Sequence, residues 1–499
     1  MNLLVDFKDS LGEIDKKGKI FAIIWMLFTI SVGIINGTFI LTTLYVFFTL
    51  IMIFVLKPKS AYEIVFSLLM VSLVFDYTLH MPGISKLYFF HIIFSIFTLM
   101  SFYKVIKDKN IIKGLDKKFI ILLGIFFSFV TISIFWAINK KFAIQFIIIY
   151  LMMVVFILDM LIYSINKKRV NDFFRAIITS FCFIIIVGII ETVSGSQLPV
   201  VHNFTYADYT PIQMAYCNSK PVAFSYNLNN YAGSIAILSS IVLFSVLKIK
   251  NIILKIAVSF CAMSSFGIVA ITTSRTGYVG IVLVIILFYF YNLLNIKKLG
   301  KNNIIIITVM AIGFILLNNY SYLIPNIKPV YEDGKEITQE KQDVLHNKLS
   351  ELSESTEELG EGGSVDVRRT IYTNIVNGII KEKNYLGFGA GNSQEFIKSQ
   401  NNTGGTYSVH SLLFEILGDF GIVGFILYGL VYLYLLGGNI YCYFKKKNYI
   451  SMAIAISLLA LGPASFGPST IAYIFFYWII FAFAAVNIQI CKKNRENIR

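Results

Sequence analysis

The sequence predicts an all-α polytopic membrane protein of about twelve to fourteen transmembrane helices, with one large extracytoplasmic loop that carries amphipathic helices. Three observations predict it. Hydrophobic residues make up 57% of the 499-residue chain and charged residues only 14%, with a mean hydropathy of +0.72, far from the balance of a soluble domain. Apolar runs of roughly 17 to 22 residues, the length that crosses a hydrocarbon core of about 30 Å, recur along nearly the whole chain. Lysine and arginine gather in alternate short loops such as "DKKGK", "KPK", "NKKR", "KKLGK" and "CKKNRENIR", so every second crossing returns to a basic loop.

The apolar runs begin near Lys19, Thr38, Ala61, Leu87, Phe119 and Phe142, then near Phe173, Asn229, Ile252, Gly277 and Asn303, and finally near Asp419, Ile450 and Thr470. The run from Ala61 to Asp76 is short, and "LGPASFGPS" breaks the last two runs with glycine and proline. The runs divide the chain into N-terminal transmembrane helices (1–191), an outer loop (192–228), central helices (229–321), a large outer loop (322–410) and C-terminal helices (411–499). The charge rule puts both termini in the cytoplasm and these two loops outside the membrane. The formal charge of +15 is then a topology signal and not a nucleic-acid surface, because each loop carries only a few charges. No cleavable signal peptide is expected, since the first run follows a polar stretch without a small-residue cleavage site. Of five cysteines only Cys217 faces outward, so neither a disulfide framework nor a metal or other cofactor is expected.

Polar groups on the rim of the membrane carry the chemistry here, because apolar residues mean only packing or lipid contact. Arg275 stands in "AITTSRTGYVG", in a tight turn at a helix start, where its guanidinium and nearby hydroxyls suit an anionic phosphate. Arg368 and Arg369 open a segment in which Ile371, Ile375, Ile379 and Ile380 recur at helical spacing, an amphipathic helix expected along the membrane surface. It leads into "YLGFGAGNS", where Gly387, Gly389 and Gly391 permit close backbone approach and suit a pocket wall. His410 precedes a helix and is expected in its first turn, where the helix dipole favours a neutral imidazole. Glu415 and Asp419 lie four residues apart on one helix face, an arrangement that calls for water or a cationic partner, for which an arginine from another loop would serve. His80, His91, His202 and His346 read as structural, and the acidic insert 330–363 as a surface segment.

These residues resemble a known set of motifs. His410-Ser411, nine residues, Gly421, two residues and Gly424 resemble the H[NSQ]-x9-GxxG signature of the O-antigen ligase and O-antigen polymerase superfamily. "SRTGYV" looks like its R-x3-L element, with Val279 in place of leucine. "VRRTIYTNIVNGIIKEKNYLGFGAGNS" looks like its R-x3-[WY] … PL-GxGxGN segment, with Arg368 and Tyr372 in the arginine and aromatic places and Asn384-Tyr385 in place of the proline. "FSYNLNNYAG" is similar to its F-x-x-x-N-x-x-A helix start and points to Asn229.

The resemblance implies a GT-C-like membrane glycosyltransferase, independent of metal, that uses an undecaprenyl-diphosphate-linked oligosaccharide. Arg275, Arg368 and Arg369 would bind the donor diphosphate, and His410 would be the catalytic base. Asn229, Tyr372, Ser411, Glu415, Asp419 and the glycines would support the pocket. Isoleucine-, lysine- and asparagine-rich usage suggests an AT-rich genome and favours polymerisation of a capsular, exopolysaccharide or teichuronic-acid-like repeat over ligation. The expected partners are the lipid-linked saccharide, membrane lipid, a chain-length regulator and a flippase. A transporter should show duplicated halves and mid-membrane polar residues, whereas this chain puts its polar residues on one face.

Overall fold

Twelve helices long and apolar enough to cross a membrane, with two shorter apolar ones between them, stand where the fourteen runs were expected. The computed structural model describes residues 14–201, 210–332, 335–336, 364–468, 470 and 474–496. His202, His346 and nearly all of the acidic insert lie outside them. The N-terminal helices are α1 (Lys16–Asn36), α2 (Phe39–Leu56), α3 (Ala61–Phe75), α4 (Phe89–Lys107), α5 (Lys117–Ile132), α6 (Lys140–Tyr163) and α7 (Lys167–Ser194). A short α8 (Pro211–Asn218) precedes α9 (Leu228–Val246), α10 (Ile252–Ile271), α11 (Arg275–Leu294) and α12 (Lys301–Tyr320). Two helices outside the spans follow, α13 (Ser364–Ile380) and α14 (Ser393–Gln400), and then α15 (Leu412–Lys446), α16 (Tyr449–Ala464) and α17 (Phe475–Glu496). Strands among the described residues form two short antiparallel hairpins, His80–Met81 with Ile84–Tyr88 and Tyr331–Glu332 with Lys335–Glu336. The chain is an all-α multi-pass membrane protein.

The short run at Ala61 is a helix after all, and burial explains its length. At 15 residues α3 rises only about 22 Å, less than the hydrocarbon thickness. Every residue from Ile64 to Phe75 is buried, so neighbouring helices replace lipid along it. Between α9, α11 and α16 the packing depends on small residues, as expected where lipid is no less apolar than a side chain. A β-carbon at Gly277 would stand 2.6 Å from that of Ala232, and one at Gly280 would stand 3.2 Å from Ala236 and 3.3 Å from Ala464. This approach sets the first turns of α9 and α11 side by side. Lower in the bundle Asn487 donates to Asn439 at 2.8 Å and to Ser451 at 2.9 Å, which ties α17 to α15 and α16 where water is absent.

The isoleucine stripe of α13 has a different use from the one its spacing suggests. Ile371, Ile375 and Ile379 are buried against Phe388, Phe396, Ile397 and Val409, a small core separate from the main one. Only Ile380 is exposed, at 58%. The amphipathic face is therefore satisfied mainly by the protein's own loop, which fixes α13 over the end of the bundle.

Candidate functional site

Asn229 and Arg275 occupy the first turns of adjacent helices, and the loop after α16 is wedged between them. A β-carbon at Gly467 would lie 2.5 Å from the Thr276 hydroxyl and 3.2 Å from the Asn229 β-carbon. The carbonyl of that same Gly467 meets His410, whose Nδ1 is 3.2 Å away. Donation from Nδ1 to this carbonyl leaves Nε2 as the ring atom with a free lone pair. The chain segments around residues 229, 275, 410 and 467 thus meet at one end of the bundle.

His410 is not in the first turn of α15, as the sequence suggests. The helix starts at Leu412 with Ser411 as its N-cap, and His410 precedes it in a left-handed backbone with φ of 53°. That conformation is sparsely populated for a residue with a β-carbon and is held here by its neighbours. Tyr372 on α13 donates to the His410 carbonyl at 3.1 Å, while its ring stacks on Phe414 at 4.1 Å. The imidazole is held below its usual pKa first by burial and then by the charge of Arg368, against the upward pull of the Gly467 and Pro468 carbonyls. The neutral form is favoured as expected, through burial and a cation and not through the helix dipole.

Arg368 is itself half-buried, and burial lowers its pKa; the nearby Tyr372 opposes that fall and the charge of Arg275 adds to it. Burial conversely raises the pKa of Tyr372, against Arg368. Arg275, Arg368 and His410 are therefore within electrostatic reach in sequence, each like charge disfavouring the next. The ion pairs among the described residues lie elsewhere, at Glu63 and Asp116, and none includes either arginine. Arg369, one residue on, is exposed. Ser274 and Ser411, each 3% exposed or less, leave their hydroxyl oxygens without a partner at the starts of α11 and α15. Clustered cations beside unsatisfied hydroxyls at two helix starts have the chemistry that suits an anion.

The glycine turn proves to be a clamp on α15. At Gly421 α15 kinks, with φ of 62° and ψ of −162°. The turn fills the kink: Phe388 N–H donates to the Gly418 carbonyl at 2.8 Å, Gly389 N–H to the Asp419 carbonyl at 2.9 Å, and Ile422 N–H to the Tyr385 carbonyl at 3.0 Å. A β-carbon at Gly387 would strike the Gly421 nitrogen and lie 2.6 Å from the Asp419 carbonyl. Gly389 lies as close to Ala137 and Gly391 to Phe146, while Gly424 admits Phe129. Instead of an arginine, Asp419 meets the Gly391 N–H at 2.7 Å, the Ser393 N–H at 2.9 Å and the Ser393 hydroxyl at 2.6 Å. Glu415 accepts from the Thr470 hydroxyl, which pins the loop that carries Gly467.

Gly467 and Thr470 were not legible as site residues, although the two Gly-Pro pairs of "LGPASFGPS" were a signal. Irregular backbone at the end of a membrane helix persists only where it serves a buried or polar function. The structural reading of two other histidines agrees with the geometry, since His80 and His91 engage the Met81 carbonyl and the Tyr88 N–H of their own hairpin. Among the described residues no group of three histidine, cysteine, aspartate or glutamate side chains could hold a metal ion.

A bundle of membrane helices carries a cluster of arginines and a neutral-leaning histidine at one end, the candidate site. Comparison with known proteins narrows this. The O-antigen ligase family matches residues 258–429, a span that includes Arg275, Arg368, His410 and the kink of α15. The chain is also similar to the teichuronic acid biosynthesis protein TuaE of Bacillus subtilis (strain 168), at 21% identity over 394 residues, 77% of this chain and 74% of that protein. With the motifs quoted above, these matches make the chain similar to the O-antigen ligase and O-antigen polymerase superfamily and to a protein of cell-surface polysaccharide synthesis.

Proposed function

We propose that the protein polymerises undecaprenyl-diphosphate-linked oligosaccharide repeat units on the outer face of the bacterial cytoplasmic membrane. The observation that carries this reading is the convergence of Arg275, Arg368 and His410, from three separate segments, into one cationic cluster with a histidine biased to its neutral form. The lysine-rich helix ends, with both termini, would face the cytoplasm, which puts the cluster outside. That side has no nucleotide supply, so an activated lipid carrier is the fitting donor.

The donor diphosphate would lie against Arg275 and Arg368, with the unsatisfied Ser274 and Ser411 hydroxyls and Asn229 at its margin. A hydroxyl of the acceptor saccharide attacks the anomeric carbon as His410 Nε2 takes its proton. The new bond is acceptor oxygen to anomeric carbon; the bond broken joins that carbon to the phosphate oxygen. Undecaprenyl diphosphate leaves with the electron pair, its developing charge met by the arginines. The glycine clamp, Asp419 and Glu415 hold the geometry without touching reactants. A relative that takes part in teichuronic acid synthesis supports a repeating polymer as product.

The test is the pool of lipid-linked saccharides in a deletion strain that expresses wild type or His410→Ala at equal membrane levels. Single repeat units accumulating on the carrier support polymerisation with His410 as base. Full-length chains left on the carrier would instead identify a ligase. Normal product from the variant would remove His410 from the chemistry and sink the mechanism.

A further inference from the structure

Asp76 carries two unfavourable features that packing does not explain. It caps the C-terminal end of α3 with φ of 44° and ψ of −121°, a backbone state that strains a residue with a β-carbon. Its Oδ1 is enclosed and has no hydrogen-bond partner. Strain and an orphaned carboxyl oxygen each cost stability, and their coincidence at one residue is the signature of a group kept for a ligand.

The surroundings show which kind of ligand. Tyr77, the next residue, packs its ring edge-to-face on Tyr88 with centroids 5.0 Å apart, and lies 5.3 Å from Phe475. Both tyrosines are partly accessible. Burial and the charge of Asp76 raise the pKa of Tyr88, so the phenol lies within reach of the carboxylate. A carboxyl oxygen that can accept hydroxyl hydrogens beside partly accessible aromatic faces is the chemistry that holds a sugar ring. The patch touches segments that lead in sequence to the candidate site. Phe75 packs on Phe224 at 4.2 Å, just ahead of Asn229, and Phe475 follows the loop that carries Gly467 and Thr470.

We propose that Asp76, with Tyr77 and Tyr88, binds the acceptor saccharide and presents its hydroxyl to the donor site. This assignment rests on the glycosyltransferase reading. Asp76 is then a binding residue for the sugar and takes no part in the proton transfer.

The experiment uses the full-length protein in nanodiscs and two probes. One is undecaprenyl diphosphate, and the other is the soluble saccharide released by mild acid from the lipid-linked pool of the deletion strain. Asp76→Asn is expected to weaken saccharide binding at least about tenfold, with undecaprenyl diphosphate affinity unchanged and a melting temperature equal to or above wild type. Tyr88→Ala should weaken the same probe alone. Equal saccharide binding by wild type and Asp76→Asn overturns the assignment, as does a lower melting temperature with saccharide affinity intact. If the wild type binds the saccharide but not undecaprenyl diphosphate, the donor reading fails and the acceptor assignment falls with it. That result differs from an Asp76 failure, in which carrier binding persists.

Discussion

Tyr372 donates its hydroxyl hydrogen to the main-chain carbonyl of His410, 38 residues further along the chain, across 3.1 Å. The helix that carries Arg368 thus also holds the left-handed backbone of the histidine. Arginine and histidine sit on segments with no sequence continuity, and this bond sets their relative position.

Tyr372→Phe removes that bond and keeps the stack on Phe414. A single net hydrogen bond is worth about 1 kcal/mol, so transfer is expected to fall roughly fivefold. Tyr372→Ala also loses the stack and should cost considerably more. Single-turnover transfer at matched levels of folded protein reads both. No change in Tyr372→Phe would mean that the bond does not position His410.

The pH profile tests the cation beside the histidine. The base must be neutral, so transfer should rise through the His410 pKa, which lies below that of an ordinary imidazole, and stay level above it. Arg368→Gln removes a positive neighbour and allows the His410 pKa to rise. Its acid limb should therefore move to higher pH, on top of weaker diphosphate binding. A purely structural loss would reduce the amplitude and leave the limb in place.

Asp419 and His410 should separate stability from chemistry. Asp419→Ala leaves the N–H groups of Gly391 and Ser393 and a hydroxyl facing a buried gap, at a cost of about 2–4 kcal/mol. A lower melting temperature and poor yield of folded protein are expected. His410→Ala should leave the melting temperature nearly unchanged and abolish transfer. If Asp419→Ala melts like wild type yet loses transfer, Asp419 acts on reactants and the clamp reading is wrong.

Much of the site was readable from residue type alone. Arg275, Arg368 and His410 stand out because a charged or titratable group on a membrane rim is costly and rare. Gly467 was unreadable, since its contribution is a carbonyl, which every residue possesses. Asp419 and Glu415 were recognisable as buried acids in need of partners. Their donors came from peptide N–H groups, Ser393 and Thr470, which have no distinctive pattern. The isoleucines of α13 had the right period, but a period says that a face is buried and not what buries it.

The sequence by itself determined the membrane class, the order of the helices and the end of the bundle that carries polar chemistry. Hydropathy and loop charge are sums over neighbouring residues, so they can be read locally. Only the tertiary structure decided that the glycine turn clamps a kink in α15, that the Gly467 carbonyl meets Nδ1 of His410, and that Asp76 Oδ1 is left without a hydrogen-bond partner. Those outcomes depend on which surfaces meet across tens to hundreds of residues, and close contact at Gly277, Gly387 and Gly421 makes that choice.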